Sequence, residues 1–153
     1  MRARRSIDER ASELMPVPYQ QLSAIAVVDG DAAVRDSFFP LLEGVGFAVR
    51  AYATGTELLK GLPVFDPSVL LMGSQLPDIN TTSLLKEINK LHLRVPTIIM
   101  ANHRFELPKL EDMAPSPAAI LLKPADEAQL FSAIDSAIHG VTHRVDVTRW
   151  NYL

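Results

Sequence analysis

Few side chains in this sequence can do chemistry, and most of them stand at the ends of apolar runs. Asp29 and Asp31 close "AIAVVDGD", two carboxylates separated by Gly30. Carboxylates are ligands for hard cations, although two of them make a weak site. Ser74 offers a hydroxyl in "SVLLMGSQLPD", directly after Gly73, which offers no side chain at all. Lys123 follows "AAILL" and precedes Pro124. The histidines, His92, His103, His139 and His143, show no ligand spacing with carboxylates, so each is expected in a solvated or locally bonded role. No cysteine is present, which removes disulfides, thiolate metal sites and cysteine nucleophiles together and is compatible with a reducing cytoplasm.

The elements that must position these groups can be read from periodicity. The runs "AIAVVD", "FAVRAYA", "SVLLM", "TIIMA" and "AAILL" are strand-length, and all but the second are apolar nearly throughout, as strands covered on both faces should be. Helical patterns lie between them. Thr54 and Glu57 fit a capping box ahead of "LLKGL". Leu84, Leu85, Ile88 and Leu91 form one apolar face, and Leu130, Ala133, Ile134, Ala137 and Ile138 another, with Gly140 placed for a left-handed C-terminal cap. Strand then helix, repeated, predicts a parallel sheet with helices on both faces. Two helices carry breakers. Pro40 falls inside "DAAVRDSFFPLLEGV", where it removes the donor to the Asp36 carbonyl and costs about 3 kcal/mol unless the helix kinks. Pro108, Pro115 and Pro117 predict that the helix in "HRFELPKLEDMAPSPAA" is short, displaced or partly irregular.

At 153 residues, 48% hydrophobic and 22% charged, the chain has room for one domain with a proper core. A formal charge of −3 gives no general attraction to nucleic acid or to anionic membranes, and no apolar run is long enough to span a bilayer. The expected division is an N-terminal extension over 1–22, a folded domain over 23–140 and a tail over 141–153. The extension opens with arginines but no apolar run follows, so secretion is not expected. Ser6 and Glu9 are placed to start a short helix that Pro16 and Pro18 stop, and Met15 is an alternative start to Met1. In the tail, Trp150, Tyr152 and Leu153 are expected to pack on their own domain, because exposed aromatics are a liability.

Taken in order, "VVDGD", "GFAVRAYATGTELL", "LPD" at Leu76 to Asp78 and "LLKPA" resemble a bacterial response-regulator receiver domain of the CheY-like superfamily, nearest the FixJ-like type. The resemblance runs from Ala24 to about Gly140. It implies a flavodoxin-like α/β fold, a five-stranded parallel sheet in the order 2-1-3-4-5. It also implies a phosphorylation site at the carboxyl ends of the strands: an aspartate accepting a phosphoryl group, two acidic residues and a carbonyl holding Mg²⁺, and a Ser or Thr and a Lys on the transferred oxygens. Phosphoryl transfer is positioning plus neutralisation of charge, and its acceptor must be a nucleophilic oxygen.

Against that pattern Asp29 matches the first acidic residue, Gly30 takes the place of the second, and Asp31 stands at an adjacent position that is often acidic. Gly73 stands where the phosphoacceptor belongs, Ala101 where the Ser or Thr belongs, and Ile120 where an aromatic switch residue belongs, while Lys123 matches the family lysine. The resemblance therefore implies a pseudo-receiver that keeps the fold and loses the switch. Asp29 and Lys123 are expected to form an ion pair, and a cis Lys123–Pro124 bond is implied. No cofactor is expected; the alternatives kept open are a residual Mg²⁺ site from Asp29, Asp31 and the Gln75 carbonyl, and Ser74 as a substitute acceptor.

The expected function is a cytoplasmic, non-enzymatic module of two-component signalling that acts by phosphorylation-independent contact with a protein. That protein is a sensor kinase, another response regulator or a second copy of the chain, with neither nucleic acid nor membrane as a partner. One alternative is a sensor of a small molecule or anion in the space vacated near Lys123 by Gly73 and Ala101. The other rests on "VVDGDAAV", which also resembles the first motif of haloacid dehalogenase-like phosphotransferases, with Asp29 as nucleophile and Asp31 as general acid/base.

Overall fold

The computed structural model describes residues 23–62 and 64–139. Five strands, β1 (Ala24–Val28), β2 (Ala48–Tyr52), β3 (Val69–Gly73), β4 (Thr97–Ala101) and β5 (Ala119–Leu122), form one sheet in the order β2-β1-β3-β4-β5. Every neighbouring pair is parallel, in registers such as Ile25 opposite Val49 and Val69, and Ile98 opposite Ala119. Residues alternate across the sheet, so each near-continuous apolar strand supplies two cores. Ile25, Val27, Val69, Leu71, Ile98, Met100 and Leu121 face one side. Ala26, Val28, Leu70, Met72, Ile99, Ala101 and Ile120 face the other.

The helices α1 (Ala32–Gly44), α2 (Gly55–Gly61), α3 (Thr81–Lys90), α4 (Leu107–Glu111) and α5 (Glu127–Ile138) cover both faces. Leu42 of α1 and Leu130, Ile134 and Ala137 of α5 pack on the first core; Leu58, Leu84, Ile88, Leu107 and Leu110 from α2, α3 and α4 pack on the second. Starts are set by side chains that accept the free N–H groups of the first turn. Asp31 accepts from Ala33, Thr54 from Glu57, Asn80 from Ser83 and Asp126 from Gln129.

Two sequence expectations are modified. Helix α1 runs through Pro40 without interruption. Asp36 and Pro40 both lie on its exposed side, where water can satisfy the carbonyl that proline leaves without a donor. Leu91 does not extend the buried face of α3: it is the C-cap, 44% exposed, because the helix ends at Lys90 and His92 turns into the left-handed region at φ 61°. The proline-rich segment gives a 3₁₀ turn at Arg104–Glu106 followed by the five residues of α4, and the Ala114–Pro115 and Lys123–Pro124 bonds are cis. Gly140, Met15, His143 and the terminal aromatic cluster lie outside the described residues.

Candidate functional site

A parallel sheet delivers the residues that follow each strand to one edge, here Asp29 after β1, Gly73 and Ser74 at the end of β3, Ala101 and Asn102 at the end of β4, and Lys123 after β5. Asp29 and Lys123 meet although β3 and β4 separate their strands. Lys123 Nζ lies 2.7 Å from Asp29 Oδ2, with the two side chains 20% and 6% exposed. The other carboxylate oxygen accepts from the Asp31 N–H at 2.9 Å, the Asp29 carbonyl accepts from Arg35 Nη1 at 2.7 Å, and the Asp29 N–H continues the β1–β2 ladder to the Tyr52 carbonyl. Asp29 is therefore held from several directions.

Gly73 lies beneath that carboxylate. A Cβ built on Gly73 would stand 2.6 Å from Asp29 Oδ2 and 3.0 Å from its Cγ, closer than non-bonded atoms approach. The missing side chain leaves no open volume at this point, since Asp29 leans into it. The expectation of vacated space over Gly73 is corrected accordingly: an unfilled corner would cost contacts, and the pinned carboxylate supplies them. Ala101 and Ile120, both fully buried, belong to the core on the α2–α3–α4 side.

The remaining sequence-predicted residues do not converge on Asp29. Asp31 turns its carboxylate to the Ala33 N–H at 2.9 Å as the cap of α1, which diverts it from a joint cation site with Asp29. A Cβ on Gly30 would meet the Pro77 ring at 3.2 Å. Ser74 donates its hydroxyl to Glu106 Oε2 at 2.9 Å, and Gln75 donates its side-chain amide to the same oxygen at 3.1 Å, so both face α4 and not Lys123. Among the described residues no group of three His, Asp or Glu side chains is placed to hold a metal. His103 stacks on Phe105 with ring centroids 5.0 Å apart, His139 Nδ1 lies 3.0 Å from the Asp135 carbonyl, and His92 is exposed.

Two carboxylates carry more of the site than the sequence suggested. Glu106 receives four donors: Ser74 and Gln75 on Oε2, and on Oε1 the N–H groups of Asn102 at 2.7 Å and His103 at 2.9 Å. Burial pushes its pKa up, but hydrogen bonds from the His103 N–H, the Ser74 hydroxyl, the Asn102 N–H and the Gln75 amide outweigh it and hold the carboxyl below its usual 4.5. Asp78 of "LPD" accepts from the Thr56 hydroxyl and N–H and from the Gly55 N–H, which cap α2 from 22 and 23 residues away. The Thr56 contacts lower its pKa most. The only sequence signal for Glu106 is its position three residues after His103, an atypical helix-start pattern; Asp78 stood in a recognised motif without a role.

A doubly covered parallel sheet in this strand order defines the CheY-like, flavodoxin-like fold. Residues 25–135 match the response regulator receiver domain family, and the chain belongs to it. It is 30% identical over 114 residues to the transcriptional regulatory protein FixJ of Azorhizobium caulinodans, covering 74% of this chain and 54% of that protein. It is 31% identical over 114 residues to FixJ of Bradyrhizobium diazoefficiens, covering 74% and 56%. The chain thus spans about half the length of these curated relatives. The crystal structure of FixJ-N superposes with a TM-score of 0.70 at 25% identity, covering 80% of this chain and 98% of that one. Among the described residues no helix is long and apolar enough to cross a membrane.

Proposed function

We propose that this receiver domain of two-component signalling acts without phosphoryl transfer, through contact with another protein. The observation that supports this most is the Asp29 carboxylate seated against Gly73 and paired with Lys123 at 2.7 Å. In the receiver pattern the lysine serves the transferred phosphoryl group; here it has an anionic partner within the chain, and the residue beneath that partner has no side-chain oxygen to phosphorylate. Asp29 has both carboxylate oxygens engaged and Asp31 caps α1, so these donors fit a resident Mg²⁺ poorly.

The same geometry weighs against the alternatives. A ligand sensor needs room beside Lys123, and Asp29 fills the space over Gly73. A phosphotransferase of the Asp-x-Asp kind needs Asp31 free to move a proton, and it is spent on a helix cap. The chain is read as a non-enzymatic, cytoplasmic module whose partner is a sensor kinase, another response regulator or a second copy of itself.

The test is intact mass after incubation with a small-molecule phosphodonor and Mg²⁺. The expected result is no added phosphoryl group. A stable adduct on Asp29, Asp31 or Ser74 would overturn the proposal and make the domain a working switch.

A further inference from the structure

Glu106 is used by neither the fold core nor the Asp29–Lys123 pair, yet it gathers more donors than any other side chain described above. Two are backbone N–H groups of consecutive residues, Asn102 and His103, directly after β4. Two are side chains from the loop after β3, Ser74 and Gln75. Neutral donors converging from two loops at the carboxyl edge of a parallel sheet make an anion-binding concavity. Its occupant comes from the 3₁₀ turn of the same chain. This turn carries Phe105, 77% exposed and stacked on His103, so whatever holds Glu106 also holds that ring on the surface.

We propose that these four donors form a small-oxoanion site that the Glu106 carboxylate occupies from within the chain, fixing the loop after β4 and the presentation of Phe105 with no external ligand. The inference rests on the phosphorylation-independent reading, because it supplies the holding contact that a phosphoryl group is not available to make. Access for a small anion is provided by the groove of about 970 Å³ between α3 and α4, whose walls include Ser74, Gln75, Glu106 and Lys109. Lys86 and Lys109 line it against one carboxylate, Asp112, once Glu106 is removed, a net positive lining that favours an anion entering. The carboxylate is also held ionised: the hydrogen bonds that lower its pKa are those of the site itself.

The test compares native protein, Glu106→Gln and Glu106→Ala by amide hydrogen exchange, with and without millimolar inorganic phosphate, at constant ionic strength. A hydrogen bond to a charged acceptor is strong enough that losing it should accelerate exchange of the Asn102 and His103 amides by about tenfold or more. The expected pattern is faster exchange in Glu106→Ala, where the site is emptied, with recovery by phosphate, and a smaller rise without phosphate recovery in Glu106→Gln, whose neutral carbonyl still fills the site. Unchanged exchange in both variants would overturn the proposal, and so would exchange in Glu106→Ala that phosphate fails to slow. Should Glu106→Ala not fold, Glu106→Gln decides: native-like protection of both amides would refute the holding role. A phosphoryl adduct on Asp29 or Asp31 found by mass spectrometry would overturn the earlier reading while leaving these exchange rates as they are, so the two failures are distinguishable; an adduct on Ser74 would remove a donor of the Glu106 site and overturn both.

Discussion

Placing an alanine at Gly73 tests whether Asp29 occupies the corner of the site. The added carbon would lie 3.0 Å from Asp29 Cγ, where carbons ordinarily keep about 3.5 Å or more, and 2.6 Å from Oδ2. The carboxylate must retreat, stretching the 2.7 Å bond from Lys123 and the 2.9 Å bond from the Asp31 N–H. Overpacking of this kind costs about 1–3 kcal/mol. It is offset by the roughly 0.5–1 kcal/mol that alanine gains over glycine within a strand. Gly73→Ala should therefore destabilise the native chain by about 0.5–2 kcal/mol. In an Asp29→Ala background the obstruction is gone, and the same substitution should be neutral or stabilising by up to about 1 kcal/mol. The assay is a double-mutant cycle by urea denaturation, comparing midpoints at unchanged m-value. Its coupling energy should be about 1–3 kcal/mol. An equal cost of Gly73→Ala in both backgrounds would refute the reasoning, because Asp29 would then not be what fills the space.

Other outcomes follow from the same geometry. A Cβ on Gly55 would collide with Ile79 Cγ2 and stand 3.3 Å from Leu84 Cδ2, so Gly55→Ala should cost about 1–3 kcal/mol by chemical denaturation, despite alanine's better helix propensity. His92→Gly should stabilise by roughly 0.5–1 kcal/mol, since φ 61° strains any residue with a Cβ; a fall in the melting temperature would count against it. The Glu106 carboxyl has its pKa lowered on folding, so its contribution is fully present above its ordinary 4.5 and is lost as pH falls through the lower folded value. Glu106→Gln should accordingly flatten the acid side of the stability–pH curve below pH 4.5, and an unchanged acid limb would contradict the hydrogen-bond assignment.

The sequence by itself determined the architecture. Apolar runs long enough for one strand, bounded by helical stripes, admit little besides a doubly covered parallel sheet, and the five strands came out as expected, in the order that the family resemblance implied. The cap at Thr54 and the weakness of α4 are also local, because a hydroxyl or a proline acts within one turn of itself. The pairing of Asp29 with Lys123 was legible only because a family pattern places those two strand ends together. Tertiary structure decided the rest. Spacing along the chain cannot show that Asp29 leans over Gly73, that Asp31 spends its carboxylate on α1, or that Ser74 and Gln75 turn toward Glu106 some thirty residues away. Each of those directions is set by which loop lies across the next strand end, and a side chain's nearest hydrogen-bond partner exists only once the sheet has brought the two loops together.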